Sequence, residues 1–190
     1  MTARWYTVFL AAVGLGRLIE LRISRRHQHA LAMRGIVKSE EPHFRHMVLL
    51  HAGVLLASGL EVWLLRRPFR RTLALGAGLI VLLANALRWW VIRSLAGHWN
   101  VQVMNSVELG VVTDGPFRWI RHPNYVAVFL DLTAIPLLHS AWLTALIGAL
   151  AHVGVLRRRI AIEEAVLLAD PTYRALMGPK PRFVPRIMQR

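Results

Sequence analysis

Long blocks of apolar residues divide this 190-residue chain, and short polar segments separate them. A helix needs roughly 20 apolar residues to cross the hydrocarbon core of a bilayer. By that measure we predict five spans, of which the last two are short and must tilt: residues 5–21, 47–65, 72–92, 125–138 and 141–156. The pattern therefore predicts an all-α, polytopic helical membrane protein with about five transmembrane helices.

Composition agrees with this class. Hydrophobic residues make up 55% of the chain, the mean hydropathy is +0.42, and there is no cysteine. The chain therefore has no disulfide, no thiolate metal site and no cysteine nucleophile. Its two close histidine pairs are too few for an iron-type membrane hydroxylase, and we expect no metal.

The formal charge of +14 requires a separate explanation. The arginines cluster at the ends of the apolar blocks, where lipid headgroups would meet them. We therefore assign the basic charge to membrane lipids as partners and expect no nucleic-acid partner.

Charge also predicts an orientation. With five spans, the basic segment 22–46, the polar stretch 95–124 and the tail after residue 156 lie on one side, which the positive-inside rule places in the cytoplasm. Arginines between residues 66 and 71 oppose this prediction, because their turn should face outward.

We read residues 22–46 as an interfacial helix pair broken at Gly35 and Pro42. We treat 1–190 as a single membrane domain, with N-terminal spans and a basic interfacial segment (1–94) and a catalytic half (95–190).

Residues 110–125 form the most polar stretch between two spans, and they end in a helix start. Pro123 suits the first helical position, with His122 before it. The free N–H groups of a helix start attract anions. We therefore predict here a pocket for a ligand with an anionic end.

A second polar cluster follows the fifth span. Arg159 and Glu163 lie four residues apart and share a helix face, and Glu164 follows directly. Carboxylates there can hold a ligand cation, and an arginine can grip a carboxylate in a bidentate fork; a solvated helix face is the alternative. Asp131 is an ionisable group inside the fourth span, and it lies two turns after Asn124, so both can face one pocket.

Together these motifs resemble a known family. Val112-Thr113-Asp114-Gly115-Pro116-Phe117-Arg118, Arg121-His122-Pro123-Asn124-Tyr125, and Arg159 followed by Glu163-Glu164, Leu167 and Tyr173 resemble the isoprenylcysteine carboxyl methyltransferase family. The resemblance spans roughly residues 95–185, and the N-terminal half resembles a bacterial branch with members similar to alkylpyrone methyltransferases. Related membrane sterol reductases share a similar half, so an NADPH-dependent reductase is one alternative. A non-catalytic lipid-binding membrane protein is the other.

The resemblance implies an S-adenosylmethionine-dependent O-methyltransferase. The enzyme would lie in a bacterial inner membrane, with its cofactor pocket open to the cytosol. A lipophilic small-molecule acceptor, prenylated-cysteine-like or alkylpyrone-like, would enter from the bilayer. It also implies that residues 182–185 fold the tail back onto the domain.

The implied roles fall into three groups. The catalytic residues are Arg159, Glu163 and His122. The cofactor contacts are His98, Val112, Gly115, Pro116, Phe117, Arg121, His122, Pro123, Tyr125, Glu163 and Glu164. The substrate contacts are Trp99, Asn124, Asp131 and Arg159. An interfacial anchor is the alternative role for Trp99.

Overall fold

The structure, a computed structural model, describes residues 1–33, 35–36, 44–101 and 110–185, with only the backbone of His98. Within these residues the chain is all-helical, which confirms the predicted class. The six α-helices are α1 (Ala3–Ala32), α2 (Phe44–Leu64), α3 (Arg71–Leu95), α4 (Pro123–Leu137), α5 (Trp142–Leu167) and α6 (Pro171–Met177). Two single-turn 3₁₀ helices cover Ala96–His98 and Gly115–Arg118.

Helix α1 is longer than the sequence predicted. It continues through Arg22 to Ala32, so the first part of the predicted interfacial helix pair is an extension of α1. The extension forms because no glycine or proline lies between Arg22 and Gly35, whose φ of 79° ends the helical path. The second predicted break, Pro42, lies outside the described residues.

Helices α2 and α3 are long and apolar enough to cross a bilayer, judged by length and composition. Helix α4 is apolar but has only 15 residues. Helix α1 carries internal charges, yet its outward face is apolar, with Trp5 67%, Leu15 60% and Leu18 58% exposed. The fold is that of an integral membrane protein, and the count of five spans remains a prediction.

Helices α2 and α5 pack closely at Gly148. A Cβ atom added at Gly148 on α5 would lie 2.8 Å from a methyl group of Val54 on α2. Glycine therefore sets this approach, as small residues commonly do between membrane helices. The buried hydroxyl of Tyr6 on α1 donates to the carbonyl of Ile135 on α4, 3.1 Å away.

A carboxylate on α2 caps the start of α5. Glu61 is 8% exposed and accepts hydrogen bonds from the amide and hydroxyl of Thr144, both at 2.7 Å, and from Arg67 at 2.9 Å. The α2–α3 turn thereby lies beside the α4–α5 turn, and the guanidinium of Arg67 sits 4.6 Å above the Trp142 ring.

The opposite end of the bundle gathers the other polar segments. The Ser24 hydroxyl of α1 donates to Asn100 at 2.7 Å, and the ring Nδ1 of His27 lies 2.8 Å from the carbonyl of Trp99. The end of α1, the loop after α3 and the start of α4 therefore lie at one end of the molecule, where the sequence placed them.

Candidate active site

The start of α4 is held by the C-terminal tail. The amide of Arg121 donates to the carbonyl of Pro181 at 2.9 Å, and the amide of His122 donates to that of Arg182 at 3.0 Å. The ring of Phe183 also lies 6.3 Å from that of His122. The tail thus folds back onto the domain and fixes the turn that precedes Pro123.

Glu164 organises the charges around this turn. It is 7% exposed, and it contacts His122 Nε2 at 3.0 Å, Arg121 at 3.1 Å and Arg182 at 2.6 Å. Burial raises the pKa of this carboxyl, but the hydrogen bonds from Arg182 and His122 and the charge of Arg121 outweigh burial, so the pKa lies below its ordinary value. These partners lie either directly before α4 or in the tail that binds that segment, so Glu164 joins α5 to the start of α4.

The neighbouring Glu163 belongs to a different set of contacts. The Tyr125 hydroxyl donates to a Glu163 oxygen and accepts a hydrogen bond from Arg159 Nε at 2.8 Å. The other nitrogens of Arg159 contact the sulfur of Met47 at 2.9 Å and the carbonyl of Val101. Tyr125 therefore links the carboxylate to the guanidinium, and protein groups already engage the arginine.

A tight turn, residues 115–118, packs against the end of α3. Gly115 has a φ of 58°, and an added Cβ would lie 2.1 Å from the Ser94 hydroxyl. The following Phe117 is 9% exposed and packs with Val91, Trp99 and Met177. The 115–118 turn is thus pressed against the end of α3.

A cavity of about 240 Å³ lies inside the helical bundle, next to Tyr125 and Arg159. The four predicted substrate residues, Trp99, Asn124, Asp131 and Arg159, all line it. Much of the remaining wall is aliphatic. The cavity therefore has an apolar body among the helices and a polar end. The polar end lies beside the charged turn, by which we mean Arg121, His122 and Tyr125 together with Glu163 and Glu164 of α5.

The comparisons with known proteins follow this geometry. The model of the isoprenylcysteine carboxyl methyltransferase family matches residues 76–169, which include the α4 start and both glutamates. This chain belongs to that family.

Similar whole proteins extend the match beyond those residues. The uncharacterized protein YpbQ of Bacillus subtilis (strain 168) is 26% identical over 162 residues, covering 85% of this chain and 96% of YpbQ. An uncharacterized protein of Haemophilus influenzae is 27% identical over 152 residues, covering 80% of this chain and 88% of its own.

A solved structure has the same fold. It is that of the eukaryotic intramembrane Ras methyltransferase, isoprenylcysteine carboxyl methyltransferase, without a monobody, with a TM-score of 0.57 and 23% identity. The match covers 77% of this chain and 55% of that chain, so this chain spans little more than half its length. The likeness shows that this chain has the membrane methyltransferase fold of the family.

In this family member, most of the predicted site residues lie close together. His122, Arg121, Glu163, Glu164 and Tyr125 share the charged turn. Val112 and Pro116 belong to the packing of the 115–118 turn: Val112 packs against the cluster that contains Phe117, and Pro116 is buried. The side chain of His98 lies outside the described residues.

A charged network beside the cavity was predicted only in part. Arg17 and Glu20, one turn apart on α1, pair at 2.8 Å. Arg17 also binds Asp131 on α4, and Arg88 of α3 binds Glu20 with Nε at 3.0 Å. Asn85 donates to Asp131 at 2.9 Å. Arginine and asparagine inside an apolar span were the available signal, because such groups face partners or a cavity. Their partners lie 46 to 114 residues away in sequence, so no local pattern identifies them.

Proposed function

We propose that this chain transfers the methyl group of S-adenosylmethionine to an oxygen atom of a lipophilic acceptor at the membrane. One observation supports this most strongly: the charged turn and the intramembrane cavity meet at Tyr125, which contacts Glu163 on one side and Arg159 on the other. A reaction between a water-soluble donor and a lipid needs a polar site and an apolar site in contact. Family membership supplies the reaction class.

The charged turn fits the amino acid end of the cofactor. Arg121 Nε and Asn124 Oδ1 are buried and have no hydrogen-bond partner within the described residues. The start of α4 also lacks a side-chain cap, so its first amides are available to an anion. Arg121 and these amides would receive a carboxylate, and Asn124 would accept from an ammonium group.

Bound S-adenosylmethionine would supply an electrophilic methyl group on a positively charged sulfur. Glu163, whose side chain is 24% exposed, would stabilise that charge, and Tyr125 and Arg159 would orient the acceptor. Enclosure of the acceptor head by α1, α2, α4 and α5 would exclude water. Orientation and enclosure are the main contributions a protein makes to such a displacement.

The acceptor tail would reach the cavity between α2 and α5. A groove on the outer, lipid-facing side of these helices is lined mostly by aliphatic residues and shares Val54 and Val155 with the cavity. These two side chains therefore separate the groove from the cavity. We place the site at the cytoplasmic side of an inner membrane, because the basic segments cluster at that end of the fold.

Binding of the demethylated cofactor tests the donor assignment. S-adenosylhomocysteine at 100 times its Kd should stabilise the purified protein by about 2.7 kcal/mol, or about 5–11 °C in Tm for a chain of this size. Protection by NADPH and none by S-adenosylhomocysteine would instead support the reductase alternative, and protection by neither would support the lipid-binding alternative.

Activity tests the assigned residues. With labelled S-adenosylmethionine and a membrane lipid extract, Arg159→Ala should lower transfer by about 10²-fold or more, because the acceptor loses its orienting group. Arg158→Ala is the matched control, since Arg158 is exposed on the same helix and should retain full transfer. Equal activities of the two variants would contradict the proposed site.

A further inference from the structure

Two histidines face the intramembrane cavity, one from α2 and one from α5. His51 and His152 both line it, and their rings pack edge to face with centroids 5.4 Å apart. Phe129 stacks on His152 at 6.0 Å and holds the plane of that ring. Neither histidine belongs to the charged turn or to the contacts of Arg159.

The hydrogen bonding of His51 defines its chemistry. Its Nδ1 lies 2.6 Å from the carbonyl oxygen of Met47, one turn earlier on α2. A carbonyl oxygen only accepts, so Nδ1 carries the hydrogen, and in the neutral ring Nε2 carries a lone pair. Within the described part of the chain, no hydrogen bond engages that Nε2, so it can accept a proton from a ligand.

The charges around the cavity favour an ionised oxygen. Arg17, Arg88 and Arg159 line it together with Glu20 and Asp131, which leaves one positive charge in excess. The indole N–H of Trp99 adds a donor, since this residue lines the cavity, is 2% exposed, and its nitrogen has no partner among the described residues. Donors and positive charge stabilise negative charge that develops on oxygen.

We propose that His51 Nε2 is a general base that removes the proton of a hydroxyl acceptor in this cavity, with His152 as a positioning residue for its ring. The product is then an ether. This inference rests on the proposed function and names the acceptor class for the same site. A carboxylic acid is already ionised at neutral pH and needs no base, whereas a phenol-like hydroxyl with a pKa of about 10 is ionised at about one part in 10³ at pH 7. A base at this position removes that disadvantage, within the 10²–10⁴-fold range of general-base catalysis.

The step balances in atoms and charge. The acceptor O–H bond breaks and its proton binds His51 Nε2, while an oxygen–carbon bond forms to the methyl group. The methyl carbon–sulfur bond breaks, and its electron pair stays on the sulfur of the donor, which becomes neutral. The proton then leaves the imidazolium for water when the product departs.

Spectroscopy without the cofactor tests the base directly. The probe is a 7-hydroxycoumarin carrying a long alkyl chain, whose absorbance separates the neutral hydroxyl from the ionised oxygen. Bound to the purified protein in detergent at pH 7, the probe should show a several-fold higher ionised fraction than in detergent alone. His51→Phe should lose this enrichment, and His51→Gln should bind the probe in its neutral form. His152→Phe should reduce the enrichment only partly.

Two further measurements make the outcome decisive. His29→Phe is the matched control, because His29 is exposed near the end of α1 and should keep the enrichment. Each variant is also titrated with S-adenosylhomocysteine, and unchanged affinity shows that it is folded. An unshifted probe spectrum in the wild-type protein, or full enrichment in His51→Phe, would overturn the proposal. Enrichment in a wild-type protein that does not bind S-adenosylhomocysteine would refute the proposed donor while supporting the base.

Discussion

Removal of the Glu164 carboxylate should loosen the charged turn while leaving the helical bundle assembled. This carboxylate contacts Arg121, His122 and Arg182, and the first two are largely buried, with side chains 13% and 2% exposed. Breaking a buried ion pair by removing one partner costs about 3–5 kcal/mol. The side chain of Arg182 is 54% exposed and adds little.

We therefore expect Glu164→Ala to lower stability by about 3 kcal/mol, or about 6–12 °C in Tm for a chain of this size. Glu164→Gln keeps an acceptor but loses the charge, and it should fall between the alanine variant and the wild type. Thermal unfolding of the purified protein in detergent measures both. Hydrogen exchange should also accelerate at the amides of Arg121 and His122, because the tail that binds them is held through Arg182 and Glu164.

Glu163→Gln is the matched control for this prediction. Glu163 is the adjacent residue, is more exposed, and its contacts lie with Tyr125 and the ring of His122. Its substitution should change Tm by less than about 2 °C. The reasoning fails if Glu164→Ala unfolds within about 2 °C of the wild type, or if the two glutamine variants are equally destabilised.

Three further outcomes follow from the structure. Folding lowers the pKa of Glu164, so the contribution of this carboxylate to folding stability is fully present above its unfolded pKa of about 4.3 and is lost as the pH falls below that value. Tm measured between pH 7 and pH 3 should therefore drop more steeply in the wild type than in Glu164→Gln. Gly115→Ala should impair folding or cofactor binding, since its Cβ would collide with Ser94, whereas a Cβ at Gly97 meets no atom of the described residues within 4 Å, so Gly97→Ala should be tolerated in the same binding assay. Val155→Trp should raise KM for long-tailed acceptors and leave the affinity for S-adenosylhomocysteine unchanged in calorimetry, because the larger ring blocks the proposed passage from groove to cavity. An unchanged KM would exclude that route.

Local patterns predicted part of this architecture. Runs of apolar residues predicted the membrane helices, and Arg17 pairs with Glu20 at 2.8 Å, as a spacing of three residues on a helix allows. Pro123 marked the start of α4, which begins at that residue. The sequence did not show that the first span and the start of the basic segment form one continuous helix, because charge alone does not end a helix when the residues are good helix formers.

Contacts between distant segments could not be predicted in the same way. Asp131 was expected to face a pocket, and it lies with Asn124 in the cavity wall, but nothing local indicated that Arg17 and Asn85 would hold it. The histidine pair was also overlooked, since His152 alone is typical of a packed residue and His51 lies 101 positions away from it.

The sequence by itself determined the class of the protein, the starts of most helices, and the two motifs that carry the family resemblance, because each depends on neighbours within a few turns. The tertiary structure alone decided which glutamate holds the turn and which one contacts Tyr125. It also decided that the polar groups of five helices enclose one cavity. The physical reason is that a charge buried among apolar helices must find partners wherever the packing places them, and packing joins residues without regard to their distance along the chain.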